Sequence, residues 1–155
     1  MEDELRLLRE TREILDTIND LFVGTDDRDW KRVARALSPR VEFDMKSVTG
    51  AEPSTVDSGK ILAGWEEGLR PLKAVHHQTG NFRVRVDGDQ ANAFCYGIAF
   101  HYLPNASGRS TRTFVGSYDF HLRKDGGDWR IDRFRFNLKY IDGNLELEGK
   151  LRIRV

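Results

Sequence analysis

Side chains able to do chemistry are few in this chain. It carries four histidines, His76, His77, His101 and His121, and one cysteine, Cys95. An imidazole titrates near pH ~6.5, so a histidine oriented by a carboxylate is suited to moving protons at neutral pH. Such a pair can enolise a carbonyl compound, dehydrate a β-hydroxy ketone or close an aldol ring, and none of these steps needs a cofactor. A metal site has less to build on. His76 and His77 are adjacent, an extended strand points them to opposite faces, and no paired Cys/His spacing is present. Cys95 has no activating His or Asp close in sequence and reads as a small buried apolar residue. Gly88 and Gly126-Gly127 belong to hairpin turns, not to a phosphate loop at a strand-to-helix junction.

Composition narrows the setting. The 155 residues suit one domain that buries roughly two-thirds of its unfolded surface. The 25 Lys+Arg balance 25 Asp+Glu, which argues against a nucleic-acid partner, because neutralising phosphates needs a surplus of basic residues on one face. Met1-Glu2-Asp3-Glu4 is acidic where a signal peptide is basic, and no apolar run approaches the ~18 residues of a membrane span. With a lone cysteine, these features predict a cytoplasmic protein without a membrane partner.

The elements that must position the chemistry follow from periodicity. Leu5, Leu8, Leu15, Ile18 and Phe22 fall at helical spacing and predict one amphipathic helix. Trp30, Val33, Ala34 and Leu37 predict a second, with Asp26 and Asp27 at its N-terminus and Ser38-Pro39 as its stop. Residues 41–45 alternate as a short strand, and 47–56 read as loop. A third helix, N-capped by Ser58, carries Ile61, Leu62, Trp65 and Leu69. Beyond Pro71 the period becomes two. Residues 75–86, 91–103, 111–124 and 129–141 predict four long strands in an antiparallel meander, with turns at Asp87-Gly88-Asp89 and Asp125-Gly126-Gly127-Asp128. Helices first and sheet afterwards indicate an α+β domain over residues 1–141. Residues 142–155 form a C-terminal extension, expected as an edge strand or interface segment.

Parity assigns the faces. Phe114, Tyr118, Phe120 and Leu122 share one buried face. In the last strand the apolar phase slips near Asp132-Arg133, which marks a bulge or a strand covered on both faces. Tyr96 shares a face with Phe94, Ile98 and Phe100, as a core or pocket-lining tyrosine. His101 shares the small-residue face of Ala93, Cys95, Gly97 and Ala99 and is expected at a rim or interface. The alternation Arg133-Phe134-Arg135-Phe136 reads as an ion-paired sheet face, not a stacking platform.

Four segments in this order, Asp26-Asp27-Arg28-Asp29-Trp30, His77-Gln78-Thr79-Gly80-Asn81, Val86-Asp87-Gly88-Asp89-Gln90-Ala91 and Gly126-Gly127-Asp128-Trp129-Arg130-Ile131, resemble the nuclear transport factor 2-like superfamily. Within it the likeness is to SnoaL-like and scytalone dehydratase-like proteins. The resemblance implies a cone-shaped α+β barrel, with three N-terminal helices packed on a curved antiparallel sheet around a pocket. It implies that Asp26 is the pocket acid, that His77 is the pocket histidine, and that Asp44 and Asn81 lie on the same rim. Where scytalone dehydratase has a second pocket histidine, the matched position is Cys95, and its two pocket tyrosines fall at Thr25 and Met45. Parity leaves one question open. On a regular strand His77 and Asn81 face with Arg83 and Arg85, opposite Phe82, Val84 and Val86, so either Gly80 marks a bulge that switches faces or His77 points away from the core.

The leading expectation is a cofactor-free, metal-free lyase, isomerase or cyclase acting on a small apolar carbonyl compound. His77 is then the general base and acid, Asp26 orients it, and Asp44, Asn81, Tyr96, Tyr118 and Trp65 bind substrate. The alternatives are a non-catalytic binding or oligomerisation module and the small subunit of a ring-hydroxylating oxygenase. The family implies a homodimer or homotrimer.

Overall fold

The structure, a computed structural model, describes residues 1–105 and 108–149. The first helix, α1, spans Glu2–Asp26, with three acidic residues in its first turn where the helix dipole favours them. Ile14, Ile18, Leu21 and Phe22 form its buried stripe, whereas Leu5 and Leu8 extend past the sheet and stay exposed. Asp26 and Asp27 were expected to start the next helix; instead Asp26 is the last residue of α1. The chain reverses at Arg28, in left-handed conformation (φ 56°), and Asp29 caps α2 (Trp30–Ala36), its carboxylate accepting the Arg32 N–H at 3.0 Å. Asp29 takes this role because it is the carboxylate standing before the free N–H groups of the new helix. Arg28 donates to the Leu72 carbonyl at 2.5 Å, tying the turn to the segment after the fourth helix.

Strand β1 (Leu37–Asp44) follows at once. Residues 47–56, expected as loop, contain a helical turn, α3 (Lys46–Thr49), and a strand, β2 (Ser54–Asp57), which pairs antiparallel with β1. Helix α4 (Ser58–Leu69) is therefore the fourth helix and not the third, with Asp57 at its N-cap and Ser58 already helical. Four long strands complete the chain: β3 (Ala74–Asp87), β4 (Gln90–Tyr102), β5 (Thr111–Asp125) and β6 (Asp128–Gly143). They form the expected antiparallel meander, and β1 adds to β6 in parallel. The result is a curved, mixed six-stranded sheet of order β2-β1-β6-β5-β4-β3 within an α+β fold.

Bulges decide which side chains enter the cone. In β3, Asn81 and Phe82 together oppose Cys95, and Asn81 takes φ 55° to make room. Before this point Val75, His77 and Thr79 turn inward; after it Phe82, Val84 and Val86 do. The bulge thus brings His77 and the later apolar residues to one face. In β6 the register slips at Asp132, as the sequence indicated, and again at Lys139, which sends Ile141 inward and leaves Tyr140 57% exposed.

Strand β4 reverses the expected facing. Its small residues Ala91, Ala93, Cys95 and Ala99 are buried, and Tyr96, Phe100 and Tyr102 lie exposed on the outer sheet face. The reason is the aromatic layer opposite. A Cβ on Gly97 would stand 2.1 Å from the Tyr118 ring, so the inner side of β4 has room only for small groups. Tyr118 packs among Phe22, Phe120, Phe134 and Phe136, with ring centroids 4.8–5.8 Å apart. Residues 144–149 of the C-terminal extension form turns, not the expected strand, and Leu147 is buried against Leu72 and Val75. The extension's remaining residues, 150–155, lie outside the described ones.

Asn81→Gly is expected to keep the stability of the parent protein, because glycine adopts positive φ freely. Asn81→Val should cost about 1–2 kcal/mol, the penalty of a left-handed conformation for a β-branched side chain. Urea denaturation checks both, and equal midpoints for the Val variant and the parent would contradict the bulge.

Candidate active site

Asp26 closes α1 beside β3, an edge strand whose ladder partner is β4 alone. The outward N–H groups of such a strand need partners. Asp26 supplies one: its Oδ2 accepts the backbone N–H of His77 at 2.7 Å, while its Oδ1 lies 2.6 Å from Nδ1 of the same residue. Both side chains are 14% exposed. A carboxylate only accepts, so the proton between them sits on Nδ1 and His77 presents the lone pair of Nε2. The ring leans on Phe22 at 5.1 Å.

His77 forms one wall of a cavity of about 180 Å³ between the helices and the inner face of the sheet. The lining is mostly apolar: Leu21, Phe22, Met45, Val48, Trp65, Leu69, Ala99, Phe114, Phe134 and Phe136. Polar groups are contributed by Thr25, His77, His101 and Tyr118. The Thr25 hydroxyl donates to the Leu21 carbonyl at 2.7 Å and is occupied by its own helix. Burial, with Cys95 and Asp26 nearby, raises the Tyr118 phenol above its ordinary value, so it remains a neutral hydroxyl. Among the described residues no group of three or more His, Cys, Asp and Glu side chains is arranged to hold a metal ion.

A match to the SnoaL-like domain covers residues 6–135. The chain belongs to this family. An uncharacterized protein of Mycobacterium tuberculosis, Rv2910c, is 30% identical over 124 residues, 78% of this chain and 80% of the relative. Among solved structures, the Kfla4162 protein of Kribbella flavida superposes with a TM-score of 0.87 at 23% identity, over 93% of this chain and 99% of its own. The hexachlorocyclohexane dehydrochlorinase LinA-type3 of Novosphingobium barchaimii LL02 superposes at 0.75 with 16% identity, over 91% and 94%. At these identities the structural matches establish the fold.

Within this SnoaL-like domain the residues singled out from sequence separate into two groups. Asp26, His77, Tyr118 and Trp65 meet at or beside the cavity. Asp44, Asn81 and Tyr96 do not. Asp44 is engaged elsewhere, accepting the Lys46 N–H at 3.0 Å and the Arg135 guanidinium at 2.9 Å. Asn81 is exposed at the bulge, and Tyr96 lies on the outer face with the Lys139 ammonium 4.2 Å from its ring centroid. On that outer face Arg133 pairs with Glu42 at 2.9 Å, and Arg83, Arg85, Arg133 and Arg135 line a shallow groove.

One pocket residue was missed from the sequence, and it is not Cys95. Cys95, expected as a small buried apolar residue, is sealed in the core, where burial pushes its thiol up to about 12 and keeps it unreactive. His101, expected at a rim or interface, lies in the pocket wall instead. The signal was its parity with Ala99 and Gly97, once that small-residue face is known to turn inward. Its Nδ1 stands 3.0 Å from Nη2 of Arg112, which itself ion-pairs with Glu148 at 2.7 Å. Burial first, then Arg112 and His77, push the His101 pKa down to about 3, against the opposing pull of Glu148. The imidazole is therefore neutral in the fold.

Stability should record this. In the unfolded chain His101 protonates near pH ~6.5, and in the native state only near about 3. Its folded pKa is depressed, so its contribution is complete above ~6.5 and is lost as pH falls through that window, where the unfolded chain binds the extra proton. Charges facing it are Arg112 from β5, His77 from β3 and Glu148 from the C-terminal segment. His101→Gln is expected to flatten the stability profile between pH 6.5 and 4 relative to the parent. Urea midpoints across that range check this, and identical acid slopes would contradict it.

Proposed function

We propose that this SnoaL-like domain catalyses cofactor-free proton transfer on a small apolar carbonyl compound, as a lyase, isomerase or cyclase. The observation that carries the reading is the Asp26–His77 contact at 2.6 Å on the wall of an apolar cavity, with Nε2 of His77 making no hydrogen bond among the described residues. Asp26 holds the Nδ1–H tautomer, so Nε2 is the base. It removes a proton from the carbon next to a carbonyl, and the imidazolium formed is stabilised by the Asp26 carboxylate. The same proton, returned to another carbon, completes an isomerisation; given to a departing hydroxyl, it completes a dehydration. The dehydrochlorinase named among the structural neighbours performs an elimination, in keeping with this reading. The cavity lies below the ~300–1,000 Å³ usual for drug-sized ligands, which favours a compact substrate. Trp65 and Tyr118 would supply flat apolar walls, and the Tyr118 hydroxyl a hydrogen bond to substrate oxygen.

We also propose self-association, as a homodimer or homotrimer, through the outer sheet face. Tyr96, Phe100, Tyr102 and Tyr140 expose between 37% and 57% of their surface there, more apolar area than a solvated sheet needs. The proposed setting is the cytoplasm, where the lone thiol of Cys95 has no need of a partner. No helix among the described residues is long and apolar enough to cross a membrane.

Solvent deuterium exchange at the α-carbon of a ketone panel tests the chemistry. The parent protein should accelerate exchange, His77→Ala should lose it, and Asp26→Asn should lower it about 10²–10⁴-fold. No exchange by the parent across the panel would favour a binding module instead. Sedimentation equilibrium at micromolar concentration tests association, with a monomer alone contradicting it.

A further inference from the structure

The cavity holds two histidines, and the chain treats them oppositely. His77 has a carboxylate on Nδ1, and His101 has a guanidinium. A guanidinium can only donate, so the His101 Nδ1 must accept, and its ring proton must sit on Nε2. Arg112 is not free to turn away. It is 3% exposed, and both of its terminal nitrogens are held by Glu148, Nη1 to Oε2 at 2.9 Å and Nη2 to Oε1 at 2.7 Å. The His101 ring packs against Phe114 at 5.1 Å, and its Nε2 makes no hydrogen bond among the described residues. That nitrogen is the one left for a ligand.

We propose that Arg112 is a positioning residue which, clamped by Glu148, locks His101 as a neutral Nε2–H donor aimed at a substrate oxygen opposite the His77 base. The inference rests on the acid/base reading above and adds to it the class of ligand: a compound with an acidic C–H beside a carbonyl or similar acceptor oxygen. The strand register supports the arrangement. His77 pairs with Ala99, and His101 stands two residues further along β4 on the same face, so the two rings are diagonal neighbours. When Nε2 of His77 takes the α-proton, the C–H electron pair becomes the new C=C bond and the carbonyl π pair moves to oxygen. The Nε2–H of His101 hydrogen-bonds that oxyanion and keeps its own proton. The protonation state required is the one enforced by the surroundings: a charged His101 would face Arg112 across 3.0 Å, and Glu148 is already committed to that arginine.

The test is ¹⁵N–¹H correlation NMR of imidazole-labelled protein, with His101 assigned by its loss in His101→Gln. We expect a single Nε2–H tautomer for His101 that does not titrate between pH 5 and 8. Arg112→Met should let it titrate in that range, because Glu148 then faces the ring without its cation, whereas Arg112→Lys should hold the ring neutral. An Nδ1–H tautomer or ordinary titration in the parent protein overturns the proposal without reference to any variant. The donor role is read with two probes of matched shape. Cyclohexanone should shift the His101 Nε2–H resonance and methylenecyclohexane, which has no acceptor oxygen, should not; equal shifts, or none from either, overturn it. A ketone-specific shift without deuterium exchange at the α-carbon would leave the His101 donor standing and instead defeat the acid/base reading.

Discussion

A single carboxylate, that of Asp26, satisfies two requirements that would otherwise compete. It stands at the C-terminal end of α1, where the helix dipole is negative and a carboxylate is disfavoured, and it is largely withdrawn from water. Among the described residues, the hydrogen bonds that offset this come from His77. The backbone N–H of the edge strand and the ring nitrogen both meet the carboxylate. The contact therefore fixes where α1 ends against β3, covers part of a strand edge, and selects the imidazole tautomer. These are one arrangement, so the geometry of the base is as rigid as the helix-to-sheet junction that carries it. Arg28 reinforces that junction from the other side, its guanidinium reaching the carbonyl of Leu69, the last residue of α4, and that of Leu72 just beyond it.

Bulges convert this junction into a pocket. A regular β3 could face His77 inward or Val84 and Val86 inward, but not both. The extra residue at Asn81 removes the conflict: Val75, His77 and Thr79 face inward before it, and Phe82, Val84 and Val86 after it. The two register slips in β6 do the same for Ile131, Phe134 and Ile141, bending the sheet around the aromatic layer.

How much of this was legible from the residues depends on the kind of signal. The long strands and their hairpins were readable because Asp87-Gly88-Asp89 and Asp125-Gly126-Gly127-Asp128 combine turn chemistry with flanking period-two patterns. The slip at Asp132 was readable because Trp129 and Ile131 change phase with Phe134. The facing of β4 was not, since parity shows which residues share a face and does not show which face is inside. Size was the misleading cue: Phe94, Tyr96 and Phe100 look like core, yet the space opposite is filled by Tyr118, which admits only hydrogen at Gly97. The inversion moved Tyr96 out of the site and His101 into it. Helix α3 and strand β2 escaped notice for another reason. They are four residues each, too short for periodicity, and β2 exists through its pairing with β1.

The two histidines of the cavity show how a fold assigns roles to identical side chains. Each lies on the inner face of a neighbouring strand, and each has its Nδ1 engaged by a charged partner. Asp26 accepts, fixing the His77 ring proton on Nδ1 and leaving the Nε2 lone pair toward the cavity. Arg112 donates, making protonation of His101 unfavourable and leaving its Nε2–H outward. A buried ion pair such as Arg112–Glu148 is weak evidence for stability, since desolvation consumes much of its Coulomb gain. Its value here lies in orientation, because a bidentate guanidinium has a fixed plane and cannot swing away from the ring. Glu148 belongs to the turn that follows β6, and Leu147 beside it is buried against Leu72 and Val75. The C-terminal segment is thereby coupled to the polarity of the pocket: the same six residues that close an apolar seam also hold the cation that keeps His101 neutral.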